Sequence, residues 1–148
     1  RRFRGLLEVL GEPERIVYCG PSGSGQVLKA VNQLASGLTN AACLECLALA
    51  ELCGVDLRAV RRGVGGEDGW RRLVSDAAAR VLAGEGEDVG VKHGQVADFL
   101  SEADERGFEL PLTRALHAFC AGGERVTVEA NRPSPSFWRE LLRQVGRG

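Results

Sequence analysis

The longest unbroken pattern in the chain runs from Ser24 to Leu52. Apolar residues recur there at 27, 28, 31, 34, 35, 38, 41, 42, 49 and 52, with 44 and 46 on either side of Glu45. Steps of three and four predict one helix, about 40 Å long at the usual rise per residue. Gly54 stands where a helix stops. The second half, 41–52, is apolar around most of its circumference, which predicts the buried spine of the domain. Gly37, Thr39 and Asn40 lower helix propensity in its middle and permit close packing or a bend. Shorter helical patterns follow. Asp56 is placed to cap one through about residue 63, and Glu67 or Asp68 opens another through Leu82. The loop 84–88 separates these from a helix over roughly 91–105, ended by Gly107. Pro111 suits the first turn of a helix reaching about Ala121. A last helix begins at Ser134-Pro135, with Phe137, Leu141, Leu142 and Val145 as its apolar stripe.

Residues 1–20 read differently. A short helix fits 5–10, Gly11-Glu12-Pro13 breaks it, and Arg15-Ile16-Val17-Tyr18-Cys19 reads as one strand. A single strand needs neighbours for its backbone donors and acceptors. It therefore pairs with a copy in another subunit, or belongs to a sheet elsewhere in a larger protein; the second reading is preferred. The expected fold is all-α, with that strand as an N-terminal remnant.

Composition supports helices. Hydrophobic residues make up 44% of 148 and aromatics 5%, so the core must be built from Leu, Val and Ala. A formal net charge of −1 gives no electrostatic reason to expect nucleic acid or an anionic membrane as partner. No stretch reaches the roughly 20 uncharged apolar residues of a membrane span, and the first residues lack the apolar core of a signal peptide. The sequence contains no Met, which predicts a piece of a longer protein. Five cysteines, at 19, 43, 46, 53 and 120, show no disulfide-framework spacing. Cys43 and Cys46 fall within the long helix without a second Cys/His pair to complete a zinc tetrahedron, so both are expected to be small buried thiols. The expected location is the cytoplasm.

Candidate chemistry begins with a scarcity. Of 19 basic residues, 17 are Arg, and only Lys29 and Lys92 are Lys. Arginine does not give up its proton in proteins, whereas lysine can act as acid or base. Lys29 follows Gly20-Pro21-Ser22-Gly23-Ser24-Gly25 and precedes Asn32 and Gln33. A glycine-rich turn feeding a helix start can receive an anion or polar ligand. The run is neither a dinucleotide fingerprint nor a Walker loop, whose Lys directly follows the last Gly. At i, i+3 and i+4, Lys29, Asn32 and Gln33 point to one side of a helix, where they could hold a substrate oxygen and exchange a proton with it. The same lysine also fits an ordinary surface position on a first helical turn. His117 is expected to be structural, Trp70 and Trp138 to be packing anchors, and Arg61-Arg62 and Arg71-Arg72 to be solvated faces, with one of them able to help hold a substrate carboxylate.

The run Gly20, Gly23, Gly25, Lys29, Asn32, Gln33 resembles the Gly-x-x-Gly-x-Gly-x-x-x-Lys-x-x-Asn-(Asn/Gln) pattern of the β-hydroxyacid dehydrogenases. The resemblance continues through Leu38-Thr39-Asn40-Ala41-Ala42, Glu45 to Ala50, Lys92, and Leu110-Pro111-Leu112-Thr113, covering most of 11–130. It implies a two-domain enzyme in which a Rossmann domain binds NAD or NADP. A helical domain, here 21–148, would close the substrate site and form a homodimer, with 1–20 as the tail of the Rossmann domain. Lys29 is then the acid/base for a small hydroxyacid or semialdehyde. Asn32 and Gln33 orient the substrate, Gly23, Ser24 and Gly25 lie against it, and Lys92 and His93 face the cofactor. The resemblance departs at His93, where an acidic residue is expected, at Gly94, and at 131–136, where the family's Asp-x-Ser segment is not recognisable. Those departures leave a second expectation open, a non-catalytic helical dimerisation module. The presence of Lys29 argues against imine reductase activity.

Overall fold

A computed structural model describes residues 4–85, 88–120 and 137–145. The helices are α1 (Arg4–Leu10), α2 (Ser24–Leu52), α3 (Leu57–Gly63), α4 (Gly69–Leu82), α5 (His93–Glu105), α6 (Pro111–Phe119) and α7 (Phe137–Val145), with a short 3-10 turn at Pro13–Arg15. The fold is all-α. Residues 1–3, part of the 84–88 loop, Ala121, and the 131–136 segment with the expected start of the last helix lie outside the described residues.

The expected strand is not formed. Residues 16–20 carry no regular structure, and no β-strand occurs among the described residues. Strand propensity at Ile16, Val17 and Tyr18 cannot satisfy the backbone without a neighbouring strand, and the side chains of Val17 and Tyr18 are exposed.

The helix ends follow local chemistry. Asp56 takes extended backbone, and its Oδ1 accepts from the Arg58 amide at 2.7 Å, capping α3. Gly54 sits at φ +75°, where the Val55 amide reaches the Ala50 carbonyl and the Gly54 amide reaches that of Glu51, both at 2.9 Å. This left-handed closure satisfies carbonyls that the end of α2 would leave open.

The chain divides into two compact units, 1–31 and 32–148. In the first, no described side chain is buried, and Leu6, Leu7, Val9, Val27, Leu28 and Val31 are all exposed. The second has a core of Leu44, Leu47, Leu57, Ala77, Ala78, Val89, Val96, Leu100, Cys120, Phe137 and Trp138. Its part of α2 buries one face only: Gly37, Ala41, Cys43, Leu44, Leu47 and Ala48. Leu49 and Leu52 are more than half exposed, and Cys46 is exposed as well. The expectation of an all-round buried spine, with both Cys43 and Cys46 inside, therefore holds for one stripe of α2. Trp138 packs inside as expected. Trp70 is exposed instead, with the Arg71 guanidinium 5.6 Å over its ring.

One loop ties the second unit together. A Cβ on Gly37 would meet Val91 Cγ1 at 2.8 Å, so the loop at 89–91 rests directly on the α2 backbone. Asn40 Nδ2 donates to the Val89 carbonyl at 3.2 Å, and Arg80 donates to Asn40 Oδ1 at the same distance. From the same loop, Asp88 Oδ1 accepts the Phe137 amide at 3.1 Å, satisfying a donor at the start of α7. The Phe137 ring meets Phe119 of α6 edge-on at 5.2 Å. The low-propensity residues Gly37 and Asn40 are thus packing and bonding positions within a continuous helix.

Candidate functional site

The glycine turn belongs to the first unit. Gly20 and Gly23 have φ of +118° and +93°, backbone that residues with a Cβ rarely adopt. That geometry turns the chain so that the Ser24 amide bonds the Pro21 carbonyl and the Gln26 amide bonds that of Gly23, starting α2. Gly23 and Gly25 are exposed, Ser24 is partly buried, and Lys29 is exposed one turn into the helix.

In the second unit, the first turn of α5 reaches two other helices. Gln33 Nε2 on α2 donates to Gln95 Oε1 at 3.2 Å. The His93 ring stacks on that of His117, on α6, with centroids 4.1 Å apart and planes 20° from parallel. Three buried polar atoms flank this turn without a hydrogen-bond partner among the described residues: Gln33 Oε1, His93 Nε2 and His117 Nε2. A buried polar atom left unpaired costs about 1–3 kcal/mol. A neutral imidazole offers one donor and one acceptor, and an amide oxygen accepts. Between them these three atoms offer both donor and acceptor capacity. Burial, then the neighbouring His93, then Arg114 push the His117 pKa below the ordinary histidine value. His117 is accordingly neutral at pH 7, the form in which an imidazole stacks without charge repulsion.

Of the residues singled out from sequence, Gln33 and His93 thus lie on the α5 turn or bonded to it. Lys92, just before α5, is exposed, as is Asn32. Gly23, Ser24, Gly25 and Lys29 lie in the first unit. His93 is partly buried against His117. Sequence reasoning did not find Gln95 or the pairing of His93 with His117. The two histidines are joined only by packing of α5 against α6, and no local spacing announces it. Among the described residues, no three His, Cys, Asp or Glu side chains are placed to hold a metal ion.

A family model described as NAD-binding of NADP-dependent 3-hydroxyisobutyrate dehydrogenase matches residues 23–129. The match begins at the glycine turn and takes in Lys29, Gln33, His93, Gln95 and His117. The chain belongs to this family. An uncharacterized oxidoreductase of Synechocystis sp. is 44% identical over 50 residues, which is 34% of this chain and 17% of that protein. The chain thus spans less than a fifth of that relative's length. No solved structure matches. Together these findings make the chain an oxidoreductase-type helical domain.

Proposed function

We propose that the chain is the substrate-binding and dimerisation domain of an NAD(P)-dependent 3-hydroxyacid dehydrogenase or reductase. The observation that carries this reading is the family match over 23–129, which includes the glycine turn and Lys29. In this reading a Rossmann domain elsewhere in the parent protein binds most of the cofactor and supplies the sheet that residues 15–19 would join. NAD versus NADP is normally decided on such a domain.

The polar atoms at the start of α5 fit a cofactor or substrate group that is uncharged and carries both donor and acceptor, as a carboxamide does. Lys92 and His93 would hold the cofactor side, and Asn32 and Gln33 the substrate. The nicotinamide, when bound, supplies the hydride acceptor or donor. Lys29 Nζ takes the hydroxyl proton as hydride leaves the carbinol carbon, and returns it in the reverse direction. The exposed amides of Gly23 and Gly25 offer donors to an anionic substrate end. Lys29 stands exposed in its unit, so water must be excluded by the rest of the protein when substrate is bound.

Turnover of the full-length parent protein with Lys29→Ala tests the reading. General acid–base help is worth about 10²- to 10⁴-fold, so kcat should fall by that much while the far-UV circular dichroism stays the same. The 148-residue chain alone should show negligible dehydrogenase activity with either nucleotide. An unchanged kcat in the variant would take Lys29 out of the mechanism, whereas a full-length parent with no turnover at all would favour the non-catalytic dimerisation module.

A further inference from the structure

A second constellation stands away from all these residues in sequence, between α3 and α4. A cleft of about 460 Å³ is lined there by Arg58, Arg61, Arg62, Gly65, Glu67 and Ser75, among others. None of them belongs to the glycine turn or to the start of α5. The volume lies within the roughly 300–1,000 Å³ of small-molecule sites.

The guanidinium groups differ in how they are engaged. Arg58 is shared with Asp56, 3.9 Å away. Arg61 reaches across to α4, where its Nε donates to Ser75 Oγ at 3.4 Å. That contact holds the arginine over the cleft and leaves its terminal nitrogens to donate elsewhere. Because Ser75 Oγ accepts from Arg61, its own hydroxyl proton is left to donate. Neither Arg61 nor Arg62 has a carboxylate partner among the described residues. At the turn after α3, a Cβ at Gly65 would collide with the Arg61 carbonyl oxygen, so the backbone lies directly on the end of α3. Two unpaired guanidinium forks and one hydroxyl donor suit an oxyanion with several acceptor oxygens. Two positive charges match a dianion, while Glu67 at the rim opposes it.

We propose that the α3–α4 cleft binds a small dianionic ligand, a phosphate monoester or a dicarboxylate, through Arg61, Arg62 and Ser75. The test follows the arginine Nε–Hε resonances of the 148-residue chain by nuclear magnetic resonance. Inorganic phosphate and succinate are titrated separately, with sodium chloride at matched ionic strength as the reference. Saturable shifts confined to Arg61 and Arg62 are expected with at least one of the two dianions, and none with chloride. Saturation by phosphate alone identifies a phosphate ligand, and saturation by succinate alone identifies a dicarboxylate. Arg62→Gln should weaken that binding about tenfold, the loss of one charge-assisted contact, and Glu67→Gln should tighten it. Shifts spread over all arginines, or equal responses to chloride, would overturn the proposal without any variant being made.

Discussion

The two units handle apolar surface in opposite ways. From 32 onward the chain buries Leu44, Leu47, Val89 and Val96 almost completely. Before 32 it leaves Leu6, Leu7, Val9, Val17, Tyr18, Val27, Leu28 and Val31 exposed. One helix, α2, runs through both regimes, so helix formation alone does not decide burial. Among the described residues, the first unit buries none of its apolar side chains, and it is also the unit that carries the glycine turn and Lys29. In the proposed function these facts have one cause: a region completed by another domain keeps both its apolar surface and its reacting groups open until that domain covers them. The second unit owes its order to its own core and should not depend on such cover.

The largest effect should come from testing that independence. Leu44→Ala in the 148-residue chain removes a side chain 1% exposed, and should cost about 2–5 kcal/mol in urea unfolding. Leu28→Ala changes a residue 53% exposed, and should stay within about 0.5 kcal/mol. Repeating both in the full-length parent sharpens the contrast. If a neighbouring domain covers the first unit, Leu28→Ala becomes costly there while Leu44→Ala changes little. Equal costs for Leu28→Ala in the two contexts would break the comparison.

A smaller effect is expected at the α3 cap. Asp56→Ala removes the acceptor of the Arg58 amide, and should cost about 1 kcal/mol of stability. Asp56→Asn should keep most of it, because the amide oxygen can still accept. Equal losses in both variants would mean that the Asp56 charge, through Arg58, matters more than the cap.

That cap was legible in the sequence, and so were the bounds of α2 and α3 and the stop at Gly54, because each depends on residues within one turn of each other. The strand expected at 15–19 is not formed in this chain, because strand formation depends on a partner that local composition cannot supply. Leu49, Leu52 and Cys46 were assigned to the interior because periodicity marks an apolar face without saying whether anything covers it. The site divides along the same line. Gly23, Gly25, Lys29, Asn32 and Gln33 form a spacing visible along one segment. The contacts at the start of α5 join residues 33 with 95 and 93 with 117 across three helices, and these appear only once the helices pack. Arg61 and Arg62 are exposed, as expected of a solvated face; that Glu67 and Ser75 border the same cleft appears only once α3 and α4 pack.

The smallest expected effect is a pH dependence carried by His117 in the second unit. His117 has its pKa lowered by burial, then by His93 and Arg114. Above about pH 6.5, the ordinary histidine value, His117 is neutral in the folded and the unfolded chain and contributes no slope. Below that value the unfolded chain takes up the proton more readily than the folded one, so stability falls as pH falls. The fall ends once the pH drops below the folded-state pKa. Urea midpoints of the 148-residue chain should therefore decline below about pH 6.5, and His117→Gln, which has no proton to take up, should decline less. Parallel declines in the chain and the variant would show that His117 does not carry the linkage.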